Sequence, residues 1–175
     1  VRPFLEEIGL AYESGFYSTA LMSALVVPDA CGAVEYPNLG NNKRYISWYD
    51  KYVASLYTCP RPKYGGELMW KIRNGMIHET SLDFCAFDLH SVIFTIPETG
   101  VSMDFGSSTA LDDDGKVAKQ LGLDLRAFTS RIVTGAQAWL KEIEPIAEKQ
   151  ARLHRLIQLR LGGMPPLVGG IPVIA

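Results

Sequence analysis

The string Lys71-Ile72-Arg73-Asn74-Gly75-Met76-Ile77-His78 places an obligate cation, a side-chain amide and a titratable imidazole within about two turns of one helix. Together these groups suit proton transfer beside a phosphate. An imidazole exchanges a proton near neutral pH, and a guanidinium neutralises charge on surrounding oxygens. At roughly 100° per residue, Asn74 and His78 fall one turn apart on one face, where the amide can orient the ring. Arg73 is displaced by about 140° from His78 and must reach across with its long side chain. Gly75 costs a helix about 1 kcal/mol against Ala, so it marks either a close approach by another backbone or a neutral accident. Spacing alone is weak evidence, since an Arg four to six residues ahead of a His arises by chance in nearly half of chains with three His and nine Arg. The competing reading makes Arg73 and His78 a helix-end pair bonded to carbonyls or to acids of the 79–115 block.

Other candidate chemistry is thinner. His90 reads as a structural residue at a strand start, and His154, on a basic helix, as a surface residue. His78, Cys85 and His90 are spaced by seven and five, which fits no usual ligand set, so no metal is expected. Asp112-Asp113-Asp114-Gly115 lacks the alternating ligands and distal Glu of a calcium loop. Neither a GxSxG elbow nor a GxxxxGK[ST] phosphate loop occurs, and no cofactor is called for. Cys31, Cys59 and Cys85, odd in number and without CxxC spacing, read as buried reduced thiols.

The elements that must carry the Arg73 string are mostly helical. Apolar residues from Phe4 to Leu25 recur at three and four; Pro28-Asp29 reads as a kink or restart, and the helix runs on toward Tyr36. Tyr45, Trp48, Tyr49, Tyr52, Val53, Leu56 and Tyr57 form an aromatic stripe that could stack on bases but at helical spacing reads first as core. A helix over 67–78 follows. The β-rich run His90–Ile96, the turn Pro97–Gly100 and Val101–Phe105 predict a hairpin over 89–105, and Ser107–Gly115 reads as linker. Asp124 caps a long helix with the stripe Leu125, Phe128, Ile132, Ala136, Trp139, Leu140 and Ile143, and Ile146–Leu161 continues helical. A tail over 162–175 is apolar and expected to lie extended on another surface, such as a partner subunit's. The chain thus reads as one mainly α domain over 1–175, a bundle of about five to six helices with one inserted β-hairpin.

Arg73-Asn74 through His78 resembles the signature of the HEPN superfamily (higher eukaryotes and prokaryotes nucleotide-binding domain), whose pattern is Arg, a polar residue, a few more residues, then His. The order of an apolar helix pair, an aromatic helix, a loop with Tyr, Pro and Gly and a helix ending R-N-x-x-x-H is similar to that family over roughly residues 4–80. The resemblance implies a HEPN-like helical bundle and a metal-independent endoribonuclease site composed by two protomers, each supplying its Arg and His. Arg73 and His78 would be the catalytic pair with Asn74 in support, in a homodimer whose 67–78 helices face each other. It also implies a bacterial stress or defence setting and an antitoxin or other protein partner. Thr80 stands where some family toxins carry a regulatory Tyr, so the resemblance does not extend to that regulation. Other family members are non-catalytic dimerisation or partner-binding modules, which is the alternative here.

Charge distribution bears on the ligand. The formal charge of −2 divides into −4 over residues 1–42, +5 over 43–78, −8 over 79–115 and +5 over 116–175. RNA would be drawn to the basic 43–78 block, where Arg61, Lys63 and Lys71 are the candidate RNA-binding residues, unless the blocks pair with one another in the fold. The apolar stretch Phe16–Val27 is twelve residues long and interrupted by Ser18, Thr19 and Ser23, too short to cross a bilayer. With no signal-peptide pattern at Val1-Arg2-Pro3, the expected location is cytoplasmic, away from membranes.

Overall fold

The computed structural model describes residues 2–57, 65–79, 81–86, 89–96, 107–111, 115, 117–156 and 158–175. It is mainly α with a small β element. The α-helices among the described residues are α1 (Arg2–Glu13), α2 (Tyr17–Glu35), α3 (Asn41–Tyr52), α4 (Gly66–Asn74), α5 (Leu125–Ile143) and α6 (Ala147–Leu153). The strands are β1 (Asp83–Ala86), β2 (Leu89–Thr95), β3 (Ser107–Leu111), β4 (Val117–Asp124), β5 (Leu159–Arg160), β6 (Gly163–Met164), β7 (Val168–Gly169) and β8 (Val173–Ile174).

Helix α2 is apolar nearly all round, which makes it the central element. Ala20, Leu21, Ala24, Leu25, Val27, Cys31 and Val34 are buried as α1, α3, α4, α5 and α6 pack around it. It runs unbroken through Pro28 for 19 residues, long and apolar enough by length and composition to cross a membrane, and half of that stretch is buried inside the protein. The expectation of a twelve-residue limit is thereby corrected. Burial against its neighbours is how the core helix of a bundle meets the same criterion. Gly32 allows α3 to approach: a Cβ there would lie 2.7 Å from the Arg44 carbonyl oxygen. The aromatic stripe of α3 is core rather than a stacking platform, since Tyr45, Trp48 and Tyr49 are fully buried, and Trp48 meets Trp139 of α5 edge-on at 6.2 Å between centroids.

Asp124 caps α5 as its sequence position predicts, accepting from the Ala127 N–H at 2.9 Å, and every residue of the predicted stripe is buried. Helix α6 is shorter than expected. Its attachment is polar: Glu35 Oε2 accepts from both Trp139 Nε1 at 3.0 Å and Lys149 Nζ at 2.7 Å, while Arg152 Nε donates to the Val34 carbonyl at 2.9 Å.

The β element is larger than a hairpin. Its strand order is β1-β2-β4-β3, with β2 parallel to β4 and the other pairings antiparallel. The first arm of the predicted hairpin is β2; the second, 101–105, lies outside the described residues. Part of the segment read as linker is β3, whose pairing with β4 supplies ladder hydrogen bonds that composition does not encode. Leu121 and Leu123 bury one face of β4, and Phe94 meets Phe128 at 5.3 Å, fixing the sheet on α5. The residues after α6 turn back on themselves instead of lying extended: β5 pairs with β8 and, inside that pair, β6 with β7.

Candidate functional site

Helix α4 carries the Arg73 string and is fixed at both ends. Its Gly65 N-cap offers no side chain, and the Gly66 N–H donates instead to Asp50 Oδ1 of α3 at 2.6 Å. A Cβ on Gly66 would stand 2.7 Å from the Ile46 carbonyl oxygen, so α3 and α4 touch through backbone. Leu68, Met69 and Ile72 turn into the core, which leaves Arg73 and Asn74 at its margin.

The geometry beyond Asn74 departs from an α-helix. Residues Gly75–Glu79 wind as a π-helix. Its i→i+5 bonding takes more residues per turn than the α form and so reduces the angular gap of about 140° between positions 73 and 78. Arg73 Nη1 consequently lies 3.3 Å from His78 Nε2 and donates to Asn74 Oδ1 at 3.0 Å. Since guanidinium has only donors, this contact is a hydrogen bond in the tautomer whose Nε2 carries no proton. Gly75 is a close approach and not an accident: its Cβ would sit 2.8 Å from the Ser81 carbonyl oxygen, and Ser81 N–H returns to the Gly75 carbonyl at 3.2 Å.

Arg73 is held from the opposite side by α2. Its Nε donates to Asp29 Oδ2 at 2.7 Å, with 15% of the arginine side chain and 14% of the aspartate side chain exposed. The expected acid of the 79–115 block is thus replaced by one 44 residues upstream. Trp70 lies beneath the guanidinium, whose carbon is 5.3 Å from the ring centroid, and Trp70 meets Tyr45 edge-on at 5.2 Å. Burial pushes the Asp29 carboxyl above its ordinary value, and the Arg73 charge pulls it back in part. Asp29 Oδ1 and the Tyr45 hydroxyl are buried without hydrogen-bond partners among the described residues, and burial together with the nearby Asp29 charge drives the Tyr45 phenol far upward.

The structure therefore joins Arg73, Asn74 and His78 and adds Asp29, Trp70 and Tyr45, which the sequence reading did not assign to the site. Asp29 had a legible signal, a carboxylate in the middle of an apolar helix, which burial obliges to find a cation. His78 is exposed, Asn74 half-buried. Lys71 is exposed on α4, about 200° around the helix from Arg73; Arg61 and Lys63 lie outside the described residues. His90 Nδ1 accepts from the Lys119 N–H at 3.1 Å, a structural role, and His154 is exposed. Among the described residues no three His, Cys, Asp or Glu side chains gather as metal ligands. Cys31 is a buried thiol whose ionisation burial opposes; the side chains of Cys59 and Cys85 lie outside the described residues.

The arrangement holds an imidazole at the protein surface with one nitrogen against a fixed cation. A cation beside an imidazole is a combination that can bind an anion and exchange a proton with it. Compared with family models, curated proteins and solved structures, the chain matches none of them.

Proposed function

We propose that this protein is a HEPN-like, metal-independent endoribonuclease in which His78 transfers protons and Arg73 binds the scissile phosphate. The observation that carries the reading is the 3.3 Å contact between Arg73 Nη1 and the exposed His78 ring, made through a π turn at the helix end. In the absence of substrate, Arg73 occupies the Nε2 lone pair that a general base needs. A phosphate oxygen that takes the Nη1 hydrogen bond frees Nε2 to accept the proton of a ribose 2′-hydroxyl, so substrate binding itself arms the base. Asn74 accepts from the same guanidinium and limits its swing; Asp29 anchors the other edge through Nε. A single His cannot be acid and base in one step, so the second His78 of a homodimer supplies the leaving-group proton. The cytoplasmic setting, antitoxin partner and stress or defence role belong to the same proposal.

The second reading, a non-catalytic dimerisation or partner-binding module, is favoured by one feature: Arg73 is largely buried against a carboxylate, as a structural cation would be. RNA cleavage in the presence of a chelator decides between them, comparing the wild type with His78→Ala and Arg73→Lys. The nuclease reading expects chelator-resistant cleavage that falls at least a hundredfold in His78→Ala. In Arg73→Lys it should fall more than tenfold, because lysine cannot span Asp29 and the phosphate with one planar group. Equal activity in all three would place cleavage elsewhere, and no activity in any would favour the module.

A further inference from the structure

The 158–175 segment is a two-stranded ribbon built from the β5–β8 and β6–β7 pairs and closed at its root by reciprocal hydrogen bonds between Gln158 and Ala175. A lone two-stranded ribbon is marginal in water. This one is also unusually apolar on its surface: Leu159, Leu161, Leu167, Ile171 and Ile174 are 55%, 72%, 77%, 63% and 76% exposed. Together these five residues expose on the order of 600 Å², against the roughly 800 Å² each partner contributes to a stable interface. From Leu156 to Ala175 the only charged side chain is Arg160. Such charge depletion is the compositional mark of an interface centre.

At the ribbon's root a cavity of about 490 Å³ opens between Phe4 and Glu7 of α1, Val27 and Ala30 of α2, and Leu159 and Ile174 of the ribbon. Its walls are mostly apolar, with Gln158 and Glu7 as the polar side chains and Glu7 the one acidic group among them. Among the described residues neither Glu7 nor Arg160 forms an ion pair within the chain. One side of this surface thus offers an apolar groove with a carboxylate, the other an apolar ribbon with a guanidinium.

We propose that the ribbon and the α1–α2 groove form a two-fold interface with a second copy of this chain, each ribbon lying against the other copy's groove with Arg160 of one facing Glu7 of the other. The surface complements itself in charge and supplies nearly the area a stable dimer needs. The pairing does not rest on the reading of Arg73 and His78.

Sedimentation equilibrium of the full chain tests it. The expected result is self-association through this face, whose dissociation constant rises at least a hundredfold in Leu167→Glu/Ile171→Glu whether or not the His78 ends also meet. Arg160→Glu and Glu7→Arg should each weaken it three- to tenfold, and the double swap should restore it to within about twofold. If the Leu167→Glu/Ile171→Glu protein loses its circular-dichroism spectrum, the charge swap decides alone. A wild-type monomer at about 100 μM overturns the proposal. So does a dimer that none of these substitutions weakens, and so does a monomer that floats with phosphatidylcholine–phosphatidylglycerol vesicles, which would assign the surface to a membrane.

Discussion

Arg73 stands between Asp29 and His78, and removing either neighbour leaves a different defect. Without Asp29 the guanidinium stays largely buried with no counter-charge. Asp29→Ala is therefore expected to cost about 2–3 kcal/mol in urea unfolding, below the roughly 3–5 of a fully buried pair because both side chains keep some contact with water. Adding Arg73→Met to that variant should recover part of the loss, as it removes the stranded charge. His78 is exposed, and its replacement by Ala should change stability by no more than about 0.5 kcal/mol. A large stability loss in His78→Ala would argue for a structural histidine. At this scale the sequence made Arg73, Asn74 and His78 legible because they are near neighbours in the chain. Asp29 was visible only as an anomaly in an apolar helix, since no local rule links residues 44 positions apart.

The contact between Arg73 and His78 depends on how the end of α4 winds, and Gly75 is the point at which that can be tested. Alanine there gains helix propensity of about 1 kcal/mol but directs a Cβ to 2.8 Å from the Ser81 carbonyl oxygen, so the turn must shift. Gly75→Ala is expected to be net destabilising by thermal unfolding and to reduce any His78-dependent activity. Gly9→Ala is the control: it sits in α1 with nothing among the described residues within 4 Å of its Cβ and should stabilise by about 0.5–1 kcal/mol. If both stabilise, the close approach to Ser81 is not a constraint. Elements with a strong local signal, α3 with its aromatic stripe and α5 with its Asp124 cap, follow directly from their residues. The π turn does not, because α and π windings of one sequence differ by contacts outside it. Strand β3 and the ribbon were missed for a related reason, as strand pairing depends on a partner elsewhere in the chain.

Over the whole molecule, two carboxylates bend the pH dependence of stability in opposite senses. Asp29 has a raised folded-state pKa, through burial partly offset by Arg73, so its contribution is fully present below the ordinary Asp value and is lost as pH rises through the folded one. Glu142 is lowered, chiefly by the Lys51 hydrogen bond at 2.8 Å, so its contribution is present above the ordinary Glu value and lost as pH falls through the folded one. Urea midpoints between about pH 3 and pH 7 should show Glu142→Gln losing less stability than wild type on acidification, by under about 1 kcal/mol because the pair is half-exposed. Asp29→Asn should lose less as the pH rises out of the acid range; parallel profiles for all three proteins would contradict both assignments. By itself the sequence determined the mainly helical character, the helix stripes and cap, and the local string of cation, amide and imidazole, because periodicity and spacing act over a few residues. Only the tertiary structure decided which acid holds Arg73, that α2 lies at the centre, and that the last residues fold into an exposed apolar ribbon. Those outcomes depend on which distant surfaces meet, and the free energy of burying one against another is not written in either segment alone.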